Sequence, residues 1–249
     1  MRYVLSVMLL MLLGAAPTTR PAVYLIHLPG ISGPLAIDRA MSAGVKLAGL
    51  PKPLVFDWTV GDPGLHALTA YGRNQEQAKI LADRLTTQYR AHPDVPIEIT
   101  AHSGGTAVAV WALEKCPADV KVQTVLLIAS ALSPTYDLSD ALAHVCGKVY
   151  AFYSPFDDIV LGTGTKTLGT MDRVYTQAAG MVGFTQPTDA KEPAEYKKLI
   201  GMPYKQEWMK LGNRGDHIGA MGRVFAAEVL APLLGGEAPE LVPATKPSR

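Results

Sequence analysis

Residues 122–129 form an almost wholly apolar run, the pattern of a strand buried on both faces of a sheet. Shorter relatives of that run recur along the chain at 23–28, 54–58, 97–100 and 148–153, with a last candidate near 205–211. Helical patterns separate them. Over 74–89, Ala78, Leu81, Leu85 and Tyr89 share one face, and further helices are expected over 106–115, 137–145 and 218–234. Strands alternating with helices imply a mostly parallel sheet of about six strands, covered by helices on both faces. Right-handed crossovers then gather the strand-to-helix loops at one edge, where functional groups are expected.

The N-terminus follows different rules. Met1-Arg2-Tyr3 precedes an apolar run over 4–13 and then Gly14-Ala15-Ala16. A basic start, a short apolar centre and small residues predict a secretory signal peptide over 1–16 and an exported protein; an uncleaved anchor or a buried first strand are the alternatives. The run is short for a membrane span, so no stable span is expected in the mature protein. One domain is expected over 22–234, with a flexible tail over 235–249. The chain carries 23 basic and 22 acidic side chains, so no bulk field draws it to nucleic acid, and a small neutral partner is expected. Cys116 and Cys146 lack zinc-type spacing, and neither a metal nor a cofactor is expected. They end consecutive crossover helices in this reading, which fits either a disulfide in an oxidising compartment or two separate thiols.

Ala101-His102-Ser103-Gly104-Gly105 falls between the third strand and its helix. Small residues two before and two after a serine allow a sharp turn that lifts the hydroxyl above the sheet. A serine hydroxyl is a weak nucleophile at neutral pH, so an imidazole must take its proton. A carboxylate on the other ring nitrogen must then hold the tautomer and stabilise the imidazolium. Backbone N–H groups are needed for the developing oxyanion, and the residue after the nucleophile, Gly104, supplies one. His102, beside the serine, is expected to pack or hydrogen-bond rather than act as the base.

These stretches resemble the α/β-hydrolase fold family, especially small bacterial lipases and esterases with an Ala-x-Ser-x-Gly elbow. The resemblance implies a reduced form of that fold and the chain order Ser, Asp, His. Ser154-Pro155-Phe156-Asp157-Asp158-Ile159-Val160 is similar to the family's acid loop and aligns Asp157, with Asp158 and Asp137 as alternatives. Gly215-Asp216-His217-Ile218-Gly219 is similar to its histidine loop, and His217 alone of the six histidines follows the acid. The family's first oxyanion loop aligns with Pro29-Gly30-Ile31, making Ile31 N–H the second donor. Met171, Val174, Ala178, Met181 and Val182 fall at helix spacing, which fits a packed helix or, within 161–203, a lid or insertion. The implied activity is hydrolysis of a small-molecule carboxylic ester or lipid. A thioesterase, amidase or acyltransferase using the same residues, and a non-catalytic binding protein on the same scaffold, are the alternatives.

Overall fold

The computed structural model describes residues 22–157 and 165–236. The segment read as a signal peptide, the alternative acid Asp158, the first part of the 161–203 segment and the tail beyond Gly236 lie outside these residues.

Strand β1 (Tyr24–Leu28) leads through a loop to helix α1 (Ala36–Leu47), and β2 (Leu54–Val55) to α2 (Leu65–Thr69) and α3 (Tyr71–Ala91). The centre of the chain supplies β3 (Ile97–His102), α4 (Gly105–Lys115), β4 (Val122–Ile128), α5 (Ser139–Ala143) and β5 (Val145–Tyr153). Short helices α6 (Thr165–Leu168) and α7 (Ala179–Val182) precede β6 (Leu199–Pro203). The C-terminal helix runs from α8 (Arg223–Phe225) through a π turn at Ala226–Leu230 to α9 (Ala231–Leu234).

All six strands are parallel, in the order β2-β1-β3-β4-β5-β6. The crossover from β1 to β2 travels one way along the sheet, whereas those from β2 to β3 and β3 to β4 travel the other. With right-handed crossovers, α1 therefore lies on one face and α3 and α4 on the other. The packing agrees: α1 meets the C-terminal helix, while α3 and α5 flank α4. In β4 every residue except Gln123 is buried, as a strand covered on both faces requires.

Two expectations are corrected, and one pair of alternatives is decided. Residues 205–211 do not supply the last strand; Gln206–Leu211 is a 3-10 turn and the strand is Leu199–Pro203. Pro203 is tolerated because β6 is an edge strand, and Trp208 packs its ring on Phe225 instead of entering the sheet. The apolar stripe from Met171 to Val182 is helical only over Ala179–Val182. Its backbone is stitched to the loop after β4, with Met171 N–H donating to Ala131, Ala179 N–H to Leu132 and Gly180 N–H to Ser130. The two thiols are unpaired, for β5 begins at Val145 and so carries Cys146 into the sheet. There Cys146 Sγ contacts Val122 O at 3.1 Å, while Cys116 is buried against α3. Helix α1 was not read from the sequence, although Ile37, Met41 and Val45 recur at helical spacing and Met41 and Val45 are buried.

Glu98 sits in β3 between Leu25 and Thr124, only 2% exposed, and its Oε2 has no partner among the described residues. Burial pushes its carboxyl up from 4.5 to about 8. Below the ordinary range both the folded and unfolded chains hold this proton. Between 4.5 and 8 only the folded chain does, so stability falls as pH rises through that window. Glu98→Gln keeps the shape without the charge. Its melting temperature should fall several degrees less than the parent's between pH 5 and pH 8, each kcal/mol being worth roughly 2–4 °C in a chain of this size. Parallel melting curves for the two proteins across that range would show the opposite outcome at once.

Candidate active site

The loops after β1 and β3 meet where the strand order reverses, the crevice at which parallel α/β sheets commonly bind ligands. At the end of β3 the chain turns sharply, and Ser103 adopts φ +52°, a left-handed conformation uncommon for a non-glycine residue. The surroundings hold it there. Ser103 N–H donates to Ile128 O at 2.9 Å, and Thr106 Oγ1 donates to Ser103 O at 2.6 Å.

The turn also demands glycine at its far end. A Cβ at Gly105 would lie 2.4 Å from Pro29 O, because the start of α4 runs against the loop after β1. One at Gly104 would lie 2.6 Å from Ile31 Cγ2 and 3.2 Å from the Trp58 ring. Trp58, fully buried, braces the same loop by donating Nε1–H to Pro29 O at 2.8 Å. Gly33 N–H and Gly64 N–H bind the carbonyls of Gly30 and Ile31. Among the described residues no acceptor takes the N–H of Ile31 or Gly104.

His217 comes from the far side of the sheet, in a loop shaped by Gly215 at φ +80°, whose N–H donates to Asn213 Oδ1. Its Nε2 lies 2.9 Å from Ser103 Oγ and its Nδ1 lies 2.7 Å from Asp157 Oδ2. A carboxylate only accepts, so Nδ1 carries the hydrogen and Nε2 presents a lone pair to the serine hydroxyl. Asp157 follows β5 in a turn closed by its own N–H donating to Ser154 O. The Asp157 side chain is 3% exposed and that of His217 is 18% exposed, so the carboxylate is sealed while the imidazole reaches the surface. The alternative acid Asp137 is engaged elsewhere: it accepts from Ser139 N–H and Oγ–H, Lys191 N–H and Tyr196 O–H.

Two further groups belong to the site: His102, which hydrogen-bonds and packs as expected, and a cluster of His27, Asp38 and Thr100 that was not read from the sequence. His102 donates Nε2–H to the backbone carbonyl of His217 at 2.9 Å, and the two rings pack at 4.9 Å. Burial, with His217 beside it, pushes His102 down to about 3, so it stays neutral. Beneath the loop after β1, His27 Nε2–H donates to Asp38 Oδ1 at 2.8 Å and His27 Nδ1 meets Thr100 Oγ1 at 2.9 Å, all three residues being buried. Asp38 Oδ2 takes Leu35 N–H at 2.6 Å, which ties the loop to the sheet. The available signal was a histidine inside the apolar run of β1, since a polar group buried there needs partners.

No protein-family model and no curated protein matches the chain. Solved structures do. Lipase B of Aspergillus fumigatus is 13% identical with a TM-score of 0.53, the match covering 88% of this chain and 53% of that one. The chain thus spans about half the length of that lipase. A dienelactone hydrolase from Anabaena variabilis is 17% identical, covering 86% of this chain and 85% of that one, with a TM-score of 0.46. The esterase domain of a Rhodothermus marinus protein is 14% identical, covering 88% and 89%, with a TM-score of 0.45. The lipase superposition, with the six-stranded parallel sheet, shows an α/β-hydrolase fold; at such identity the likeness concerns the fold alone.

The contact between Gly105 and Pro29 O generates a comparison of two glycines. Gly105→Ala should destabilise the protein by about 1–3 kcal/mol, because overpacking here meets backbone that cannot rotate aside. Gly72→Ala, in α3 where an added Cβ meets nothing within 4 Å, should leave stability unchanged or raise it by up to about 1 kcal/mol. Urea titrations of both variants give the two differences directly.

Proposed function

We propose that this protein is a serine hydrolase that cleaves a carboxylic ester through an acyl-enzyme. Ser103 is the nucleophile, His217 its base and Asp157 the acid, with Gly104 and Ile31 N–H groups binding the oxyanion. The observation that carries this reading is the unbroken line from Ser103 Oγ to His217 Nε2 and from His217 Nδ1 to Asp157 Oδ2, at 2.9 and 2.7 Å. It starts on a strained turn whose hydroxyl has no other partner among the described residues.

The chemistry follows from the geometry. Ser103 Oγ bonds to the ester carbonyl carbon as its proton passes to His217 Nε2, and the carbonyl π electrons move onto oxygen. Donors already held by a folded loop need no reorganisation to meet that charge. Asp157 stabilises the imidazolium without taking its proton. Collapse of the intermediate breaks the bond to the alcohol, whose oxygen takes the proton from Nε2. Water then attacks the acyl-enzyme by the same route, releasing the acid and restoring Ser103. No metal or cofactor enters these steps. The N-terminal pattern over 1–16 supports an exported enzyme, and no described helix is long and apolar enough to cross a membrane.

A fluorophosphonate should label Ser103, and Ser103→Ala should abolish both labelling and ester turnover. Labelling elsewhere, or undiminished turnover, would remove the assignment. Asp157→Asn should lower kcat by orders of magnitude, up to about 10⁴ where the wrong tautomer is trapped, as seen for the equivalent change in a serine protease. Asp137→Asn should lower it little. Steady-state kinetics on a short-chain ester decides between these carboxylates.

A further inference from the structure

A cavity of about 110 Å³ lies between the loop after β1 and the His217 loop, bordering Ser103. Ile31, Leu35, Ile37 and Ile218 make its apolar wall, and His102 is part of its polar lining. His102 is only 3% exposed. Its Nε2 faces a carbonyl oxygen, which can only accept, so Nε2 bears the hydrogen and Nδ1 the lone pair. Among the described residues nothing donates to Nδ1. The ring's neutrality keeps that lone pair available throughout the neutral range.

Gly30 accounts for the opening beside this atom. A Cβ there would sit 3.3 Å from His102 Nδ1 and 3.3 Å from Ser103 Cβ, between the acceptor and the nucleophile. Gly30 is not in the left-handed region, so the backbone does not require glycine at this position. What the missing side chain leaves is space at the lone pair.

We infer that this cavity receives the leaving group, and that His102 Nδ1 accepts a hydrogen bond from a hydroxyl on it, selecting esters of a small polyhydroxylated alcohol over plain alkyl esters. The assignment rests on the ester-hydrolase reading above. In that reaction the departing oxygen takes its proton from His217 Nε2, so its substituent emerges on the imidazole side. That is where His217 and Ile218 bound the cavity. The volume suits a group of several heavy atoms. An anionic leaving group would meet the Nδ1 lone pair and the buried Asp38 carboxylate, which also borders the cavity. A protonated amine would lose hydration against four aliphatic side chains. A neutral hydroxyl satisfies the acceptor without either penalty.

The test compares kcat/KM for 1-monobutyrin and propyl butyrate, which share the acyl group and the three-carbon chain and differ by two hydroxyls. A site built around an acceptor discriminates against the analogue that leaves it unpaired. The parent protein should prefer monobutyrin by about tenfold or more, the effect of one hydrogen bond to a buried acceptor. Gly30→Ala sets a methyl against Nδ1, and His102→Phe removes the acceptor; each should bring the ratio to within about threefold of unity. The ratio is taken within each protein, so a general loss of rate cancels. The intrinsic reactivity difference between the two esters cancels between proteins. A parent ratio near unity, or a preference kept in both variants, overturns the assignment. Turnover of neither ester by the parent, together with failure of fluorophosphonate labelling, overturns the hydrolase reading itself and this inference with it.

Discussion

Leu28 and Ala101 are partners in the parallel pairing of β1 with β3, so the two strands end side by side and release their loops into the same space. One loop carries Ile31 and the other becomes the turn at Ser103. Their approach is close enough that Pro29 O occupies the place of a side chain at Gly105. Everything the site requires is arranged around that contact. It sets the loop after β1 against the start of α4 and Gly104 against Ile31, beside Ser103 at φ +52°. A strained residue of this kind costs about 1–3 kcal/mol and persists only where surrounding structure over-determines it. Here the bonds to Ile128 and Thr106 and the wall of Trp58 do so.

The second constraint is polar. Asp38 loses solvation on burial, which alone would raise its pKa, yet the hydrogen bonds from His27 and from Leu35 N–H outweigh that and lower it. The carboxylate is therefore a fixed charge with both oxygens engaged, and it binds the loop after β1 to the strand before it. Such a network depends on every member, since an unpaired polar group in a low-dielectric interior is costly. His102 does comparable work on the opposite loop, where its N–H anchors the backbone of His217 while the ring stays uncharged.

This division explains what could be read from the sequence. The buried strands were legible because apolar runs reflect burial on both faces, a requirement each strand meets by itself. The turn at Ser103 was legible because its small residues are a local need. The Ser, His and Asp set was legible only through resemblance and chain order; the structure brings these three within hydrogen-bond distance, while their catalytic roles remain the proposal made above. What escaped were features decided by partners far along the chain. Trp58 is apolar in any reading, and only its bond to Pro29, twenty-nine residues away, gives it a place in the site. Residues 205–211 look like a strand until Trp208 finds Phe225. The Met171–Val182 stripe has helical spacing, but its backbone N–H groups find better acceptors in the loop after β4. Cys146 belongs to β5, whose start three residues earlier than expected takes it off a helix end, and of the two alternatives for the cysteines the separate thiols hold.

The placement of charge around the serine has a consequence for any reaction that develops an oxyanion there. Asp157 and Asp38 are both buried carboxylates, one behind His217 and one bordering the cavity beside Ser103. An uncompensated negative charge at either place would oppose a second one forming at the carbonyl oxygen, strongly so at low dielectric. Asp157 faces the imidazole, where its charge favours the imidazolium that forms with the oxyanion. Asp38 has no such partner in the reaction. Its charge is softened rather than removed, since His27 Nε2–H and Leu35 N–H direct their dipoles at its two oxygens. The hydrogen bonds from His27 Nε2–H to Oδ1 and from Leu35 N–H to Oδ2 are thus more than an anchor for the loop: together they engage both carboxylate oxygens of an acidic residue that borders the cavity beside the proposed nucleophile.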